Sequence, residues 1–226
     1  MRLSIIIPAY NEKETIKELL KRVFKASSLN YQKEVIVVDD ASKDGTAELL
    51  DDLKSRFDFI LLRHPKNKGK GGAIKTALEK VTGDFVLIQD ADLEYDPEDY
   101  PMLLEAISKE YPVIYGSRNL GKAERGYLLF ALAGKSLTFL FNLLYGARIT
   151  DINTGYKLFR TDIIKNLGLK TDGFEFCEEV TARVLKKGYR IKEVPIRYYP
   201  RKFSEGKKIN FKDGLVAIWT IVKYRI

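Results

Sequence analysis

The most constraining feature of this chain is the rhythm of its first half. Five short apolar runs, at 3–8, 35–39, 59–62, 85–89 and 113–115, alternate with amphipathic stretches at about 12–26, 44–56, 71–81 and 98–110. The runs are rich in Ile and Val and are apolar at consecutive positions, so both faces of each strand need cover. Strands buried on both faces and separated by helices make a mostly parallel sheet with helices on either side. Turn chemistry marks the joints: Asp44-Gly45 after the second run, Thr82-Gly83-Asp84 before the fourth, and Asp96-Pro97 at the first turn of the next helix. The expected class is therefore α/β, a Rossmann-like nucleotide-binding fold.

The second half is less regular. It offers a long apolar helix or helix pair at 127–146, a strand at 155–160, a helix at about 175–187, an alternating strand at 190–199 and a last amphipathic helix at 211–225. Without an internal repeat or a Gly/Ser linker, residues 1–226 read as one domain, with 1–118 as its nucleotide-binding half and 119–226 as an elaboration. Lys and Arg number 39 against 31 Asp and Glu, a net charge of +8. The excess concentrates at 183–212, where only Glu193 and Glu205 are acidic, so that end faces an anionic partner. The lone Cys177 excludes an internal disulfide and a cysteine metal cluster, which suits a reducing cytosol. The apolar N-terminus is too short for a signal peptide and reads as a buried strand. The apolar stretch 127–147 is interrupted at Gly134-Lys135-Ser136 and at Asn142. It falls short of the roughly 18 to 20 unbroken residues that spanning a bilayer requires, and suits the membrane surface instead, with burial in a dimer or in the domain core as the alternative.

In open α/β sheets ligands bind at the carboxyl ends of the strands. Asp90 and Asp92 follow the fourth run with one small residue, Ala91, between them. Side chains at i and i+2 of an extended backbone project to one side, which suits a shared hard cation such as Mg²⁺ or Mn²⁺ completed by substrate phosphates. Taken alone, such a tripeptide is more often a helix cap beside a solvated carboxylate. Asp39 ends the second run, where a carboxylate can accept hydrogen bonds from a ribose or base. Asn67-Lys68-Gly69-Lys70-Gly71-Gly72-Ala73 is a basic, glycine-rich loop opening a helix, with backbone N–H groups suited to phosphate but without Walker A or dinucleotide spacing. His64, beside Pro65, reads as a surface-loop residue. No RNA-stacking or recognition-helix pattern appears, so nucleic acid is not an expected partner.

Together, Ile-Ile-Ile-Pro-Ala-Tyr-Asn-Glu at 5–12, Val-Val-Asp-Asp-Ala-Ser-Lys-Asp-Gly-Thr at 37–46, the loop at 67–73, Gln-Asp-Ala-Asp-Leu-Glu at 89–94 and Gly-Ser-Arg at 116–118 resemble family 2 glycosyltransferases. The likeness is to the branch of dolichol-phosphate mannose synthases and polyprenyl-phosphate hexosyltransferases. Asp151-Ile-Asn-Thr-Gly-Tyr-Lys-Leu-Phe159, Glu179, Glu193-Val-Pro-Ile196 and the segment 201–208 extend it over nearly the whole chain. Two departures stand out: Lys135-Ser136 where relatives often carry an arginine, and Ser204-Glu205-Gly206-Lys207 in place of Gly-Glu-Ser-Lys.

The resemblance implies a GT-A fold and an inverting, metal-dependent hexosyltransferase. The donor would be a nucleotide-sugar, GDP-mannose ahead of UDP-glucose, and the acceptor a polyprenyl phosphate, with a saccharide acceptor or a non-catalytic nucleotide-binding module as alternatives. Pro8, Tyr10, Glu12 and Asp39 match nucleoside-binding positions, beside Asn67, Lys68, Gly69 and Ala91 on the donor side. Asp90 and Asp92 match the metal ligands, and Glu94 stands where relatives place a further polar ligand. Arg118, Arg201 and Lys207 match cations around the acceptor phosphate and donor diphosphate, while Asp151 and Glu179 are base candidates should the acceptor be a hydroxyl, or else anchors for the Arg and Lys side chains nearby. The basic helix at 211–225, with Trp219, and the segment 127–146 would rest on the inner face of a membrane, making the protein cytoplasmic and peripheral, or meet in a homodimer.

Overall fold

The computed structural model describes residues 1–121, 128–201 and 211–226. Its strands are β1 (Arg2–Ala9), β2 (Gln32–Asp39), β3 (Ile60–Arg63), β4 (Phe85–Ile88), β5 (Val113–Ser117), β6 (Lys157–Arg160) and β7 (Ile191–Pro195). The helices are α1 (Ile16–Lys25), α2 (Thr46–Leu53), α3 (Gly69–Leu78), α4 (Tyr100–Ala106), α5 (Leu128–Tyr145), α6 (Thr161–Lys165), α7 (Phe176–Lys186) and α8 (Phe211–Arg225). One seven-stranded sheet runs β3-β2-β1-β4-β6-β5-β7.

The consecutive apolar residues of the early strands divide between two cores by the two-residue alternation of a strand. Ile5, Ile7, Val35 and Val37 point to one face, against Ile16, Leu19 and Val23 of α1 and Leu103 and Leu104 of α4. Ile6, Ile36, Val38 and Val86 point to the other, against Ala73, Ile74 and Ala77 of α3 and Val180 and Val184 of α7. Slipping β1 by one residue against its neighbours would exchange these faces, so the register Ile5↔Val35 and Ile5↔Leu87 is strongly fixed.

The second half settles two points that the sequence left open. β6 runs antiparallel to both β4 and β5: the chain leaves the sheet after Ser117 and re-enters at the same end, which only an antiparallel strand can follow. The segment read as a helix or helix pair is one continuous helix, α5, of 18 residues. Gly134 inside it costs only about 1 kcal/mol of helix propensity, and Thr138 Oγ1 bonds back to the Gly134 carbonyl at 2.9 Å. Phe141 of α5, Ala182 of α7 and Ile221 of α8 are buried together with Ile149 and Ile152 in a third core. Among the described residues no helix is long and apolar enough to cross a membrane.

Candidate functional site

The chain turns sharply where β1, β2 and β4 end. Asn11, Ala41 and Leu93, none of them glycine, hold φ values of 51°, 60° and 62°. Left-handed backbone at a residue with a side chain is disfavoured and persists where surrounding structure enforces it, commonly at functional sites. Here it turns the polar segments after three neighbouring strands toward one another.

Arg201 gathers those segments. Its guanidinium meets Glu12 at 3.0 and 3.1 Å and Asp92 at 3.2 Å, and its backbone N–H donates to Glu94 at 2.7 Å. Glu94 also receives the Tyr198 hydroxyl at 2.9 Å. Asp39 is buried at the end of β2 and takes the Ser42 N–H, with Pro8 and Tyr10 half-buried at the end of β1. Pro8, Tyr10, Glu12, Asp39, Asp90, Asp92 and Arg201 thus share the carboxyl end of the sheet, as the order β2-β1-β4 requires. Lys207 lies outside the described residues.

The glycine-rich loop is arranged differently from the sequence reading. The N–H groups of Lys68 and Gly69 donate to the Asp40 carboxylate at 2.8 and 2.7 Å, and the Asn67 amide to its carbonyl at 3.2 Å. Gly71 and Gly72 donate to the carbonyls of Gly173 and Asp172. A phosphate cradle needs free N–H groups, and these four are taken within the protein; the glycines are there for close approach, since a Cβ on Gly69 would stand 2.5 Å from the Asp172 carbonyl oxygen. His64 is not a surface-loop residue either. It is buried, with Nδ1 2.6 Å from Asp40 and Nε2 2.9 Å from the Thr76 hydroxyl, and so ties β3, α3 and the end of β2 together. The loop's contribution to the site is the Lys70 ammonium, 2.5 Å from Asp90.

Arg118 and Asp151 form a fork-to-fork pair, Nε and Nη2 each donating at 2.7 Å, with the Arg118 backbone N–H adding a third bond. Glu193 fixes the Asp151 loop by accepting the N–H groups of Thr150 and Asp151, and Arg118 lies over the Tyr198 ring. Glu179 is placed elsewhere. Its carboxylate is enclosed by the N–H groups of Lys170 and Thr171, the Thr171 hydroxyl and Arg183 Nε. Burial opposes its charge, but the Thr171 and Arg183 hydrogen bonds outweigh that and hold the carboxyl below the ordinary range. A carboxylate so satisfied is a poor proton acceptor, and the geometry gives Glu179 the task of joining α7 to the 170–171 segment.

The proposed metal ligands divide. Asp90 faces Lys70, Asp92 faces Arg201, and Glu94 is engaged by Tyr198 and the Arg201 backbone. Among the described residues no three acidic, histidine or cysteine groups stand together as a metal site, so the three-ligand set Asp90, Asp92 and Glu94 is not assembled. The donor chemistry nevertheless fits a divalent cation. Burial first, then the neighbouring Asp90 and Glu94 charges, push the Asp92 carboxyl up to about 7, the sign of a site with more negative charge than Lys70 and Arg201 balance. Two carboxylates suffice for a cation that takes its remaining ligands from water and phosphate.

Several shaping residues, most of them inside the quoted motifs, were given no role from the sequence. Tyr100 and Tyr156 both donate to Gln89 Oε1 at 2.7 Å, and the Tyr95 hydroxyl accepts the Gly155 N–H. Gly155 has no room for a side chain: a Cβ would stand 2.1 Å from Asp90 Oδ2. Lys157 is buried beneath, bonded to the carbonyls of Ile152 and Thr154 and lying against the Tyr115 ring.

The model of glycosyl transferase family 2 matches residues 4–168. The chain is 33% identical to a dolichol-phosphate mannosyltransferase of Pyrococcus furiosus across 92% of its own length and 59% of that relative's. It is also 33% identical to an undecaprenyl-phosphate mannosyltransferase of Micrococcus luteus, covering 100% of this chain and 99% of that one. The chain thus spans about three-fifths of the first relative and nearly all of the second. In structure it is similar to glucosyl-3-phosphoglycerate synthase of Mycobacterium tuberculosis in complex with Mn²⁺, UDP and glucosyl-3-phosphoglycerate, with a TM-score of 0.75 at 18% identity over 99% of this chain and 79% of that one. The fold is the expected GT-A arrangement. With the match running from β1 through β6 and α6, and the acidic pair at the end of β4, the chain belongs to glycosyltransferase family 2.

Proposed function

We propose that the protein is an inverting hexosyltransferase that moves a hexose, with mannose favoured, from a nucleotide-sugar donor to a polyprenyl phosphate at a membrane surface. The observation that carries this reading is the convergence of Glu12, Asp39, Asp90 and Asp92 with Lys70 and Arg201 at the ends of three adjacent strands. The names of the two relatives support mannosyl transfer to a lipid phosphate, and the solved neighbour binds Mn²⁺ together with a nucleoside diphosphate.

Asp39 would hold the nucleoside, with Pro8 and Tyr10 beside it. Asp90 and Asp92 would hold Mg²⁺ or Mn²⁺, which as a Lewis acid offsets the charge of the departing diphosphate. Lys70 and Arg201, already drawn to those carboxylates, add positive charge on the same side. Arg118, fixed by Asp151, would orient the acceptor phosphate. Such an acceptor arrives as an anion and needs no proton removed, in keeping with both base candidates being paired, Asp151 to Arg118 and Glu179 to Arg183.

An apolar surface supports the lipid acceptor. Phe139 and Leu143 of α5 are each 69% exposed and Trp219 of α8 is 65% exposed, with Leu215, Val216 and Ile218 around it. Lys212, Lys223 and Arg225 flank them on α8. Exposed apolar and aromatic side chains fringed by cations suit an anionic bilayer surface.

Transfer to a saccharide hydroxyl is the second reading. One observation favours it: burial pushes the Glu178 carboxyl up to about 7, in the range of a general base. A screen of GDP- and UDP-sugars against dolichyl phosphate, undecaprenyl phosphate and simple glycosides, with Mg²⁺ and Mn²⁺, separates the two. The proposal expects transfer only to the lipid phosphates; transfer only to glycosides would overturn it.

A further inference from the structure

One carboxyl–amide pair beside the donor site has no part in the lipid-phosphate reading. Glu178 lies in the first turn of α7 and is 1% exposed. Its Oε1 accepts a hydrogen bond from Asn153 Nδ2 at 2.7 Å. Its Oε2 and the Oδ1 of Asn153 are buried with no hydrogen-bond partner. Each such orphan acceptor costs about 1–3 kcal/mol, and folded proteins keep few of them, commonly where a catalytic role, a water or a ligand accounts for them.

The pair is held in place. Lys157 Nζ bonds the carbonyls of Ile152 and Thr154, one on each side of Asn153, at 2.8 Å. It also borders the carboxylates assigned to the diphosphate. Gly155, two residues beyond Asn153, packs directly on Asp90, and Cys177, next to Glu178, reaches the Thr154 carbonyl. Asn153 Oδ1 can only accept, and the ionised Glu178 carboxylate accepts at both oxygens, so a partner for the ionised pair must bring donors. A diphosphate brings only acceptors and negative charge; a hexose brings hydroxyl groups.

Building on the donor reading above, we infer that Glu178 and Asn153 accept hydrogen bonds from hydroxyl groups of the transferred hexose and so select which sugar the donor carries. A site built to receive a hydroxyl discriminates strongly, because a sugar that lacks or misplaces it leaves the buried acceptors unpaired. Lys157 is then a positioning residue, acting through the loop it clamps.

The test compares wild type, Glu178→Gln and Asn153→Ala for binding of GDP and UDP alone, and of the GDP- and UDP-linked forms of mannose and glucose, by calorimetry with Mn²⁺, together with steady-state transfer. Glu178→Gln removes a buried charge and keeps the shape, so folding is preserved. The expected result is nucleoside diphosphate affinity within about twofold of wild type, a loss of about tenfold or more for the preferred nucleotide-sugar, and collapse of the ratio between the two sugars toward one. Unchanged sugar discrimination in both variants would mean that a structural water fills the gap; the inference falls and the donor reading stands. A drop in kcat with donor affinities and their ratio intact would make Glu178 a base and equally overturn the inference. Wild-type protein that binds neither diphosphates nor nucleotide-sugars would remove the donor reading itself, and the inference with it.

Discussion

Replacing Glu178 by glutamine should make the protein more stable while impairing its selectivity. Burial pushes this carboxyl from an ordinary 4.5 to about 7, with the Asn153 hydrogen bond and Lys157 opposing only part of that shift. The folded-state value lies above the unfolded one. The stabilising contribution of the neutral carboxyl is therefore complete below pH 4.5 and is lost as pH rises through about 7. At about 1.4 kcal/mol per decade of proton affinity, the ionised side chain costs the fold about 3 kcal/mol at pH 8 and under about 1 kcal/mol at pH 5. Glutamine never ionises and keeps the volume, so the variant escapes that loss. For a chain of this size the gain at pH 8 corresponds to about 6–12 °C in Tm. Urea or thermal unfolding of both proteins at pH 5, 7 and 8 measures it. A variant no more stable than wild type at pH 8, or a gain that is the same at pH 5, would refute the reasoning, because either result means that the native carboxyl is not forced to carry an unsatisfied buried charge.

Three further predictions follow from particular contacts. Lys70→Ala deprives the Asp90 carboxylate of its counter-ion at 2.5 Å and should lower unfolding stability by about 3 kcal/mol; Mn²⁺ at about a hundred times its Kd should restore most of that, which a thermal shift series with and without the metal will register. Gly155→Ala places a methyl 2.1 Å from Asp90 Oδ2, so overpacking should cost about 1–3 kcal/mol and weaken metal-dependent nucleotide binding, read by calorimetry. Arg118→Lys and Asp151→Asn should each raise the KM for lipid phosphate, and the double variant should be no worse than the poorer single one, since the pair forms one fork; additive losses would show that the two residues act separately.

The parts of this architecture that could be read from the sequence are those that depend on local pattern. Val35 to Val38 are apolar without a break, as suits a strand covered on both faces, and the order of strand-end motifs alone puts Glu12, Asp39 and Asp90 on one edge. What escaped depends on distant partners. Whether the N–H groups at 68–72 point to a ligand or inward depends on Asp40 and on the 172–173 carbonyls, roughly thirty and a hundred residues away. His64 looked unpartnered because its partners, Asp40 and Thr76, come from two other elements. Glu178 and Glu179 are adjacent in sequence, yet the turn of α7 sends one toward Asn153 and the other toward Arg183. The Glu179 position was visible as a motif; the exceptional environment of its neighbour was not. Lys70 does not stand out within the loop, because a glycine-rich run signals backbone N–H groups, whereas here a side chain supplies the charge.

In the proposed reaction the acidic pair after β4 works with a divalent cation to transfer a hexose from a nucleotide-sugar to a lipid phosphate. The most direct measurement incubates radiolabelled GDP-mannose and UDP-glucose with polyprenyl phosphate in anionic vesicles and follows label into the organic phase, for wild type and Asp92→Asn, with Mn²⁺ or EDTA. The expected result is lipid-linked hexose from one donor with wild type and Mn²⁺, and at least about a hundredfold less with EDTA or with Asp92→Asn, whose neighbouring carboxylate alone holds the cation poorly. Label that stays in the aqueous phase under every condition, or transfer that survives in Asp92→Asn and EDTA, would contradict it.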